Sequence, residues 1–189
     1  RGIVRAVAES SASEGANIAI NYLKNSEAAS EVVDIALSFG VEARAYQANI
    51  GCENECTQLA LAVIEDFDKI DILLNNAGVG STAIQRPNIV EATNEQWDRL
   101  MSVNFWGPVW LCRILVPHMR QVPRSDVIMV STIAVQALSP RFGVYAVSKS
   151  ALEAMAHTLA REEKCNGMRV NIIAPGLVDR YMGRNVCNV

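Results

Sequence analysis

The sequence predicts an α/β fold, a doubly wound parallel sheet, and three observations carry that prediction. Short β-branched or apolar runs recur at about 17–22, 41–48, 70–75, 126–131 and 168–174. Between them lie stretches with helical patterning, at about 2–14, 26–39, 53–66, 93–119 and 145–165. Short buried strands that alternate with helices build right-handed βαβ units and a parallel sheet covered on both faces. Finally, no internal repeat, low-complexity tract or Pro/Gly-rich linker divides the chain, so residues 1–189 read as one domain.

The elements follow in order. The first two helical stretches run into Gly15 and Gly40, where a residue without Cβ suits a helix C-terminus. The strand at 70–75 leads into Asn75-Asn76-Ala77-Gly78, and the irregular stretch 79–92 after it is expected to border a site. The helical pattern 93–119 holds Asn104 and all three tryptophans, Trp97, Trp106 and Trp110, which read as packing or subunit contacts. The run at 126–131 ends in Ser131-Thr132, and the last run leads into Pro175-Gly176.

Composition bounds the function. Half the residues are hydrophobic, a fifth are charged and the net charge is −3, so the chain can bury a sizeable core and has no electrostatic reason to seek nucleic acid. Five cysteines, an odd number without a Cys-x-x-Cys, argue for reduced thiols and a cytoplasmic setting. Cys52 and Cys56 share helical spacing, but no His or second Cys pair lies nearby and no metal site is expected. No apolar run approaches the roughly 18 residues that span a bilayer. His118 and His157 lack the Gly-x-Ser-x-Gly context of a hydrolase and read as helix-surface residues.

The most informative stretch is Tyr145-Ala146-Val147-Ser148-Lys149. Positions i and i+4 share a helix face, so the phenol and the ammonium can converge on one site. A nearby cation favours the phenolate and is expected to lower the tyrosine's pKa, which would make it a general acid. With four tyrosines and four lysines, chance supplies about 0.1 such pairs, so the motif alone is suggestive and its company decides.

That company is Asn75-Asn76-Ala77-Gly78, Asn104, Ser131-Thr132, Tyr145 with Lys149, and Pro175-Gly176, in this order. Together they resemble the short-chain dehydrogenase/reductase family, and the likeness runs from Arg1 to about Met182. The resemblance implies an oxidoreductase that moves a hydride between a nicotinamide dinucleotide and a carbonyl or secondary alcohol, without a metal. It implies that Tyr145 exchanges the proton and that Lys149 holds the nicotinamide ribose hydroxyls. Asn104 would support a water linking Lys149 to solvent. A serine normally steadies the substrate oxygen; that position here is Thr132, which keeps the hydroxyl and adds a methyl. Ser131 is second choice, because adjacent strand residues face opposite ways.

On the cofactor side, Arg1-Gly2-Ile3-Val4 matches the end of the family's Thr-Gly-x-x-x-Gly-x-Gly turn, with Val4 where the third glycine belongs. Arg1, Gly2 and Ile3 are thus expected at the phosphates, and Asn49-Ile50 at the adenine. Asn76, Ala77 and Gly78 are expected beside the adenine ribose, although such a turn can also be purely structural. Pro175, Gly176 and Val178 are expected at the nicotinamide, where Arg180 replaces a common threonine. The run 17–22 ends in Asn21-Tyr22 without the acidic residue that selects NAD, and Arg1 and Lys24 are basic, so NADP is expected over NAD.

The family's first strand, which lies mid-sheet, and its last strand are absent from these residues, so two sheet halves with unpaired edges are expected, prone to aggregate or fold in part. The family also pairs the helices matching 93–119 and 145–165 between subunits, which implies a homodimer or homotetramer. Overall likeness is greatest to 3-oxoacyl-carrier-protein reductases and bacterial sugar dehydrogenases. Val4, Thr132 and Arg180 motivate a second reading, a catalytically weakened nucleotide-binding or interaction protein that keeps the fold.

Overall fold

A computed structural model describes residues 2–176 and 178 and divides the chain into two compact units, 1–49 and 50–189. In the first unit, α1 (Gly2–Ser13), β1 (Ile18–Tyr22), α2 (Ser26–Ser38) and β2 (Ala43–Gln47) follow in sequence. The two strands pair in parallel, from Ile18 opposite Ala43 to Tyr22 opposite Gln47. Both helices bury residues one turn apart, Ala8 and Ala12 on α1 and Val32 and Ala36 on α2, against Ile18 and Ile20. Val4 packs against the same cluster, so its branched side chain is accommodated among apolar neighbours. Gly15 and Gly40 follow the helices with φ of 88° and 81°, the left-handed conformation expected where a helix ends. At the N-terminus of α2, Asn25 Oδ1 accepts the Ala28 N–H at 2.8 Å.

The second unit carries α3 (Glu53–Phe67), β3 (Ile72–Asn75), α4 (Asn94–Met101), α5 (Gly107–Met119), β4 (Ser125–Val130), α6 (Ala134–Ala137), α7 (Gly143–Glu162) and β5 (Met168–Ile173). Its three strands form a parallel sheet in the order β3-β4-β5. The parallel strands therefore lie in two sheets, one in each unit, as the sequence predicts. The larger core is built from Cys56 and Ala60 on α3, Leu111, Leu115 and Met119 on α5, Leu152 and Ala156 on α7, and Val127 and Met129 on β4. Val127 and Met129 are two apart and so face the same way. Burial raises the thiols of Cys56 and Cys112 to about 11 and about 12, which keeps both neutral as packing residues. Past the end of α7, Arg120 clamps the buried Glu163 carboxylate with two bonds of 2.8 and 2.6 Å and holds it below the usual carboxylate range.

The long helical pattern 93–119 is two α-helices joined by a π-helical turn, Ser102–Trp106. The cause is in the sequence. Pro108 has no N–H for the Asn104 carbonyl four residues earlier, and its ring would clash with that carbonyl in an α-helix. Gly107, between them, lies where a Cβ would come 2.6 Å from the Ile50 carbonyl oxygen. The stretch 79–92 contains only a 3₁₀ turn, Ser81–Ile84, whereas α6 arises within a segment without helical patterning. Among the described residues no helix is long and apolar enough to cross a membrane.

Candidate active site

Within the second unit, the carboxyl end of β4 meets the first turns of α7, and a site grows from that junction. Val130, the last residue of β4, accepts a 2.8 Å hydrogen bond from Lys149 Nζ. Ser131, just past the strand, donates its hydroxyl to the Glu153 carboxylate. The Thr132 hydroxyl accepts the Ala134 N–H at 3.3 Å and lies near enough to the Tyr145 phenol to favour its ionised form. Val130, Ser131 and Thr132 thus meet Lys149, Glu153 and Tyr145, which lie four residues apart along one face of α7. Tyr145 and Lys149 sit one turn apart on α7, and Tyr145 packs against the cluster of Ile84, Leu100 and Val144.

Asn104 fixes the floor. It is fully buried in the π-turn; its Oδ1 accepts the Val79 N–H at 2.8 Å, and its Nδ2 donates to Val79 O at 2.9 Å and to Ser148 Oγ at 3.0 Å. Ser148, also fully buried, donates to the Tyr145 carbonyl at 2.8 Å. Both N–H donors of the side-chain amide are therefore committed, and its oxygen already accepts one bond. The Asn104 backbone carbonyl, which Pro108 cannot engage, is a further acceptor at this point. Gly78 completes the arrangement: a Cβ there would lie 3.3 Å from Asn104 Oδ1 and 3.5 Å from Lys149 Nζ.

The electrostatics correct one expectation. The Tyr145 pKa is raised, not lowered: burial of the phenol dominates, and the nearby Thr132 hydroxyl pulls the other way. Lys149 supplies no compensating fall, because its ammonium is directed at Val130 O. Burial also lowers Lys149 itself, to about 8. At neutral pH it is still mostly charged.

Asn104, Thr132, Tyr145, Lys149 and Gly78 thus come together in the second unit. Near them in sequence, Asn76 is half-buried and Ala77 exposed, and Pro175 accepts the Ile133 N–H at 3.1 Å. Gly176 and Val178 are exposed. Ile50 belongs to the hydrophobic core, with its side chain against Gly107 and its carbonyl accepting the Cys56 thiol at 3.2 Å. Gly2, Ile3 and Asn49 belong to the first unit: Gly2 opens α1 with φ of 65°, Ile3 is exposed and Asn49 is half-buried. At the end of β1, Asn21 Nδ2 donates to the Tyr46 and Ala48 carbonyls at 3.2 and 3.1 Å, bracing the two strands. Arg1 and Arg180 lie outside the described residues. Sequence reasoning missed Ser148, Val79 and Val130, the last two because they act through backbone atoms. The one available signal was Pro108, four residues after Asn104.

The buried site suits a dinucleotide's ribose hydroxyls. Lys149 uses one of its three N–H groups on Val130, and Gly78 keeps the space beside its Nζ free of a side chain.

Comparison with known proteins agrees. The family model described as Enoyl-(Acyl carrier protein) reductase matches residues 1–188. A probable tetrahydroxynaphthalene reductase of Zymoseptoria tritici is 34% identical over 188 residues, covering 99% of this chain and 68% of that protein. A 3-oxoacyl-(acyl-carrier-protein) reductase of Staphylococcus epidermidis is 31% identical over 179 residues, 94% of this chain and 71% of that one. Two solved structures superpose with a TM-score of 0.85 at 26% identity. One is a metagenomic short-chain oxidoreductase in complex with NADP, covering 93% of this chain and 77% of its own. The other is an NAD+-bound xylitol dehydrogenase, covering 96% and 69%. With the Tyr145-x-x-x-Lys149 pair, the buried Asn104 and the parallel α/β architecture in place, the chain belongs to the short-chain dehydrogenase/reductase family, NAD(P)-dependent oxidoreductases that act on CH–OH and C=O groups.

Proposed function

We propose that this protein interconverts a small-molecule carbonyl compound and its secondary alcohol with NADP(H) in preference to NAD(H), using Tyr145 as the general acid and base. The observation that carries the reading is Tyr145 one turn from the buried Lys149 on α7, whose ammonium is anchored on the Val130 carbonyl at the end of β4. In reduction, the Tyr145 O–H gives its proton to the carbonyl oxygen, which the Thr132 hydroxyl steadies by donating a hydrogen bond. A raised phenol pKa suits this direction, since Tyr145 rests in its protonated form. Tyr145 regains a proton from solvent, with Asn104 supporting a water through its backbone carbonyl. The bound nicotinamide supplies the hydride.

Lys149 would hold the nicotinamide ribose, with Gly78 giving close access to its ammonium. Pro175, Gly176 and Val178 would border the nicotinamide carboxamide, and Asn76 and Ala77 the adenine ribose. In the first unit, Arg1, Gly2, Ile3 and Asn49 would serve the phosphates and adenine, and Ile50 would add its backbone to the adenine contact. The NADP preference rests on the amide of Asn21 and the exposed Lys24 where an acidic residue would select NAD. A homodimer or homotetramer is supported by a shallow apolar groove lined by Phe105, Ala151, Ala154, Met155 and Leu159, near the 43% exposed Trp106.

Turnover of a β-keto ester with NADPH and with NADH, compared between wild type and Tyr145→Phe, tests the reading. Loss of about 10³-fold or more in kcat is expected on removing the phenolic proton. Equal rates would favour a chain that keeps the fold without the chemistry.

A further inference from the structure

Two segments of the second unit, 85–91 and 138–143, carry features that the catalytic reading does not use. Among the described residues, five non-glycine residues have φ in the left-handed region, and four of them lie here: Gln85 (62°), Arg86 (50°), Leu138 (46°) and Arg141 (65°). Such residues persist only where their surroundings over-determine the backbone. Here each segment supplies the surroundings of the other. Arg141 Nε donates to the Arg86 carbonyl at 3.0 Å. The Arg86 guanidinium stands 5.2 Å from the centroid of the Phe142 ring. Ile89 closes on Gly143 so tightly that a Cβ there would come 3.1 Å from Ile89 Cβ and Cδ1. A side-chain-to-backbone hydrogen bond, a cation–π contact and an apolar contact therefore join the segments at three points.

The join leads directly into the catalytic helix. Phe142 precedes the first residue of α7 and makes no side-chain capping bond, yet its carbonyl accepts the Ala146 N–H at 2.8 Å. Tyr145 lies three residues on. The Arg86 guanidinium of the other segment thus makes one of the contacts at the entry of α7, on the residue whose carbonyl opens the helix.

We propose that Arg86 and Phe142 are positioning residues, a latch between segments 85–91 and 138–143 that fixes the start of α7 and with it the Tyr145 hydroxyl. The proposal rests on the reading of Tyr145 as proton donor. Neither residue touches the reacting atoms. Their effect is on how often the phenol is correctly placed, which acts on kcat more than on dinucleotide affinity.

The test compares Phe142→Leu, which keeps an apolar side chain without the π face, with Phe142→Tyr, which restores the face. Amide hydrogen exchange is followed at Arg86, Glu91 and Ala92 and at Phe142 and Ala146, all hydrogen-bonded amides. In Phe142→Leu, exchange is expected to rise about fivefold or more in both segments together, and Phe142→Tyr stays within about twofold of wild type. With ethyl acetoacetate and NADPH, kcat falls by about three- to tenfold in Phe142→Leu, with the KM for NADPH unmoved, and recovers in Phe142→Tyr. Arg86→Ala against Arg86→Lys repeats the comparison from the other side should the leucine variant not fold. Unchanged exchange in segment 85–91 on removal of either partner overturns the latch. Raised exchange with unaltered kcat overturns its link to Tyr145. If wild type itself turns over neither this ester nor any other carbonyl probe, the reading of Tyr145 fails and the positioning role falls with it, whereas the exchange data still decide whether the latch exists.

Discussion

Replacing Asn104 with alanine perturbs a side chain that ties the loop after β3 to α7. The change removes three hydrogen bonds, two to Val79 and one to Ser148, at a fully buried position. At about 1 kcal/mol net for each, the loss is about 3 kcal/mol, and the stranded Val79 N–H adds to it. With a urea dependence of about 2 kcal/mol per molar, the unfolding midpoint falls by about 1.5 M. Trp97, Trp106 and Trp110 all lie in the second unit, so tryptophan fluorescence reports this unit directly. Ser148→Ala removes the bond to Asn104 and the one to the Tyr145 carbonyl, for about 1–2 kcal/mol. The two changes share one bond, so the double variant should be less destabilised than the sum by about 1 kcal/mol. A midpoint shift below about 0.5 M in Asn104→Ala, or strictly additive variants, would refute the reasoning, since the amide would then not be the clamp that its geometry indicates.

Two further outcomes follow from the same packing. Lys149 is held near 8 by burial, below the value of about 10.4 for an unfolded lysine, so between these values the unfolded chain holds the proton that the fold has shed. Stability should therefore rise by about 1.5 kcal/mol from pH 8 to 9.5, seen as a higher urea midpoint, and Lys149→Met should lack the rise; above about pH 10 the raised Tyr145 phenol opposes it. Gly107→Ala would place a Cβ 2.6 Å from the Ile50 carbonyl oxygen, a backbone atom that cannot rotate away, and should cost about 3 kcal/mol, read as a Tm lower by several degrees.

Much of the architecture was legible because each element carries its own periodicity. The apolar pairs Ala8 and Ala12, Val32 and Ala36, and Leu152 and Ala156 recur at helical spacing, and the strands are short apolar runs. Legibility failed where local pattern and backbone chemistry disagree. The stretch 93–119 has unbroken helical patterning, yet Pro108 forces a π-turn at Asn104, because hydrophobic spacing does not register a missing N–H. The helix at Ala134–Ala137 went unread because four residues are too few to show a period.

The sequence by itself determined the fold class, the order of the elements and the pairing of Tyr145 with Lys149 on one helix face, since all three follow from spacing along the chain. Only the tertiary structure decided what each group touches. It directs the Lys149 ammonium at Val130, commits the Asn104 amide to Val79 and Ser148, and seats the Ile50 side chain in the core. It also reverses the expected direction of the Tyr145 pKa. Spacing tells which groups share a face, but the balance between a nearby charge and the loss of water depends on burial, and burial is a property of the packed chain.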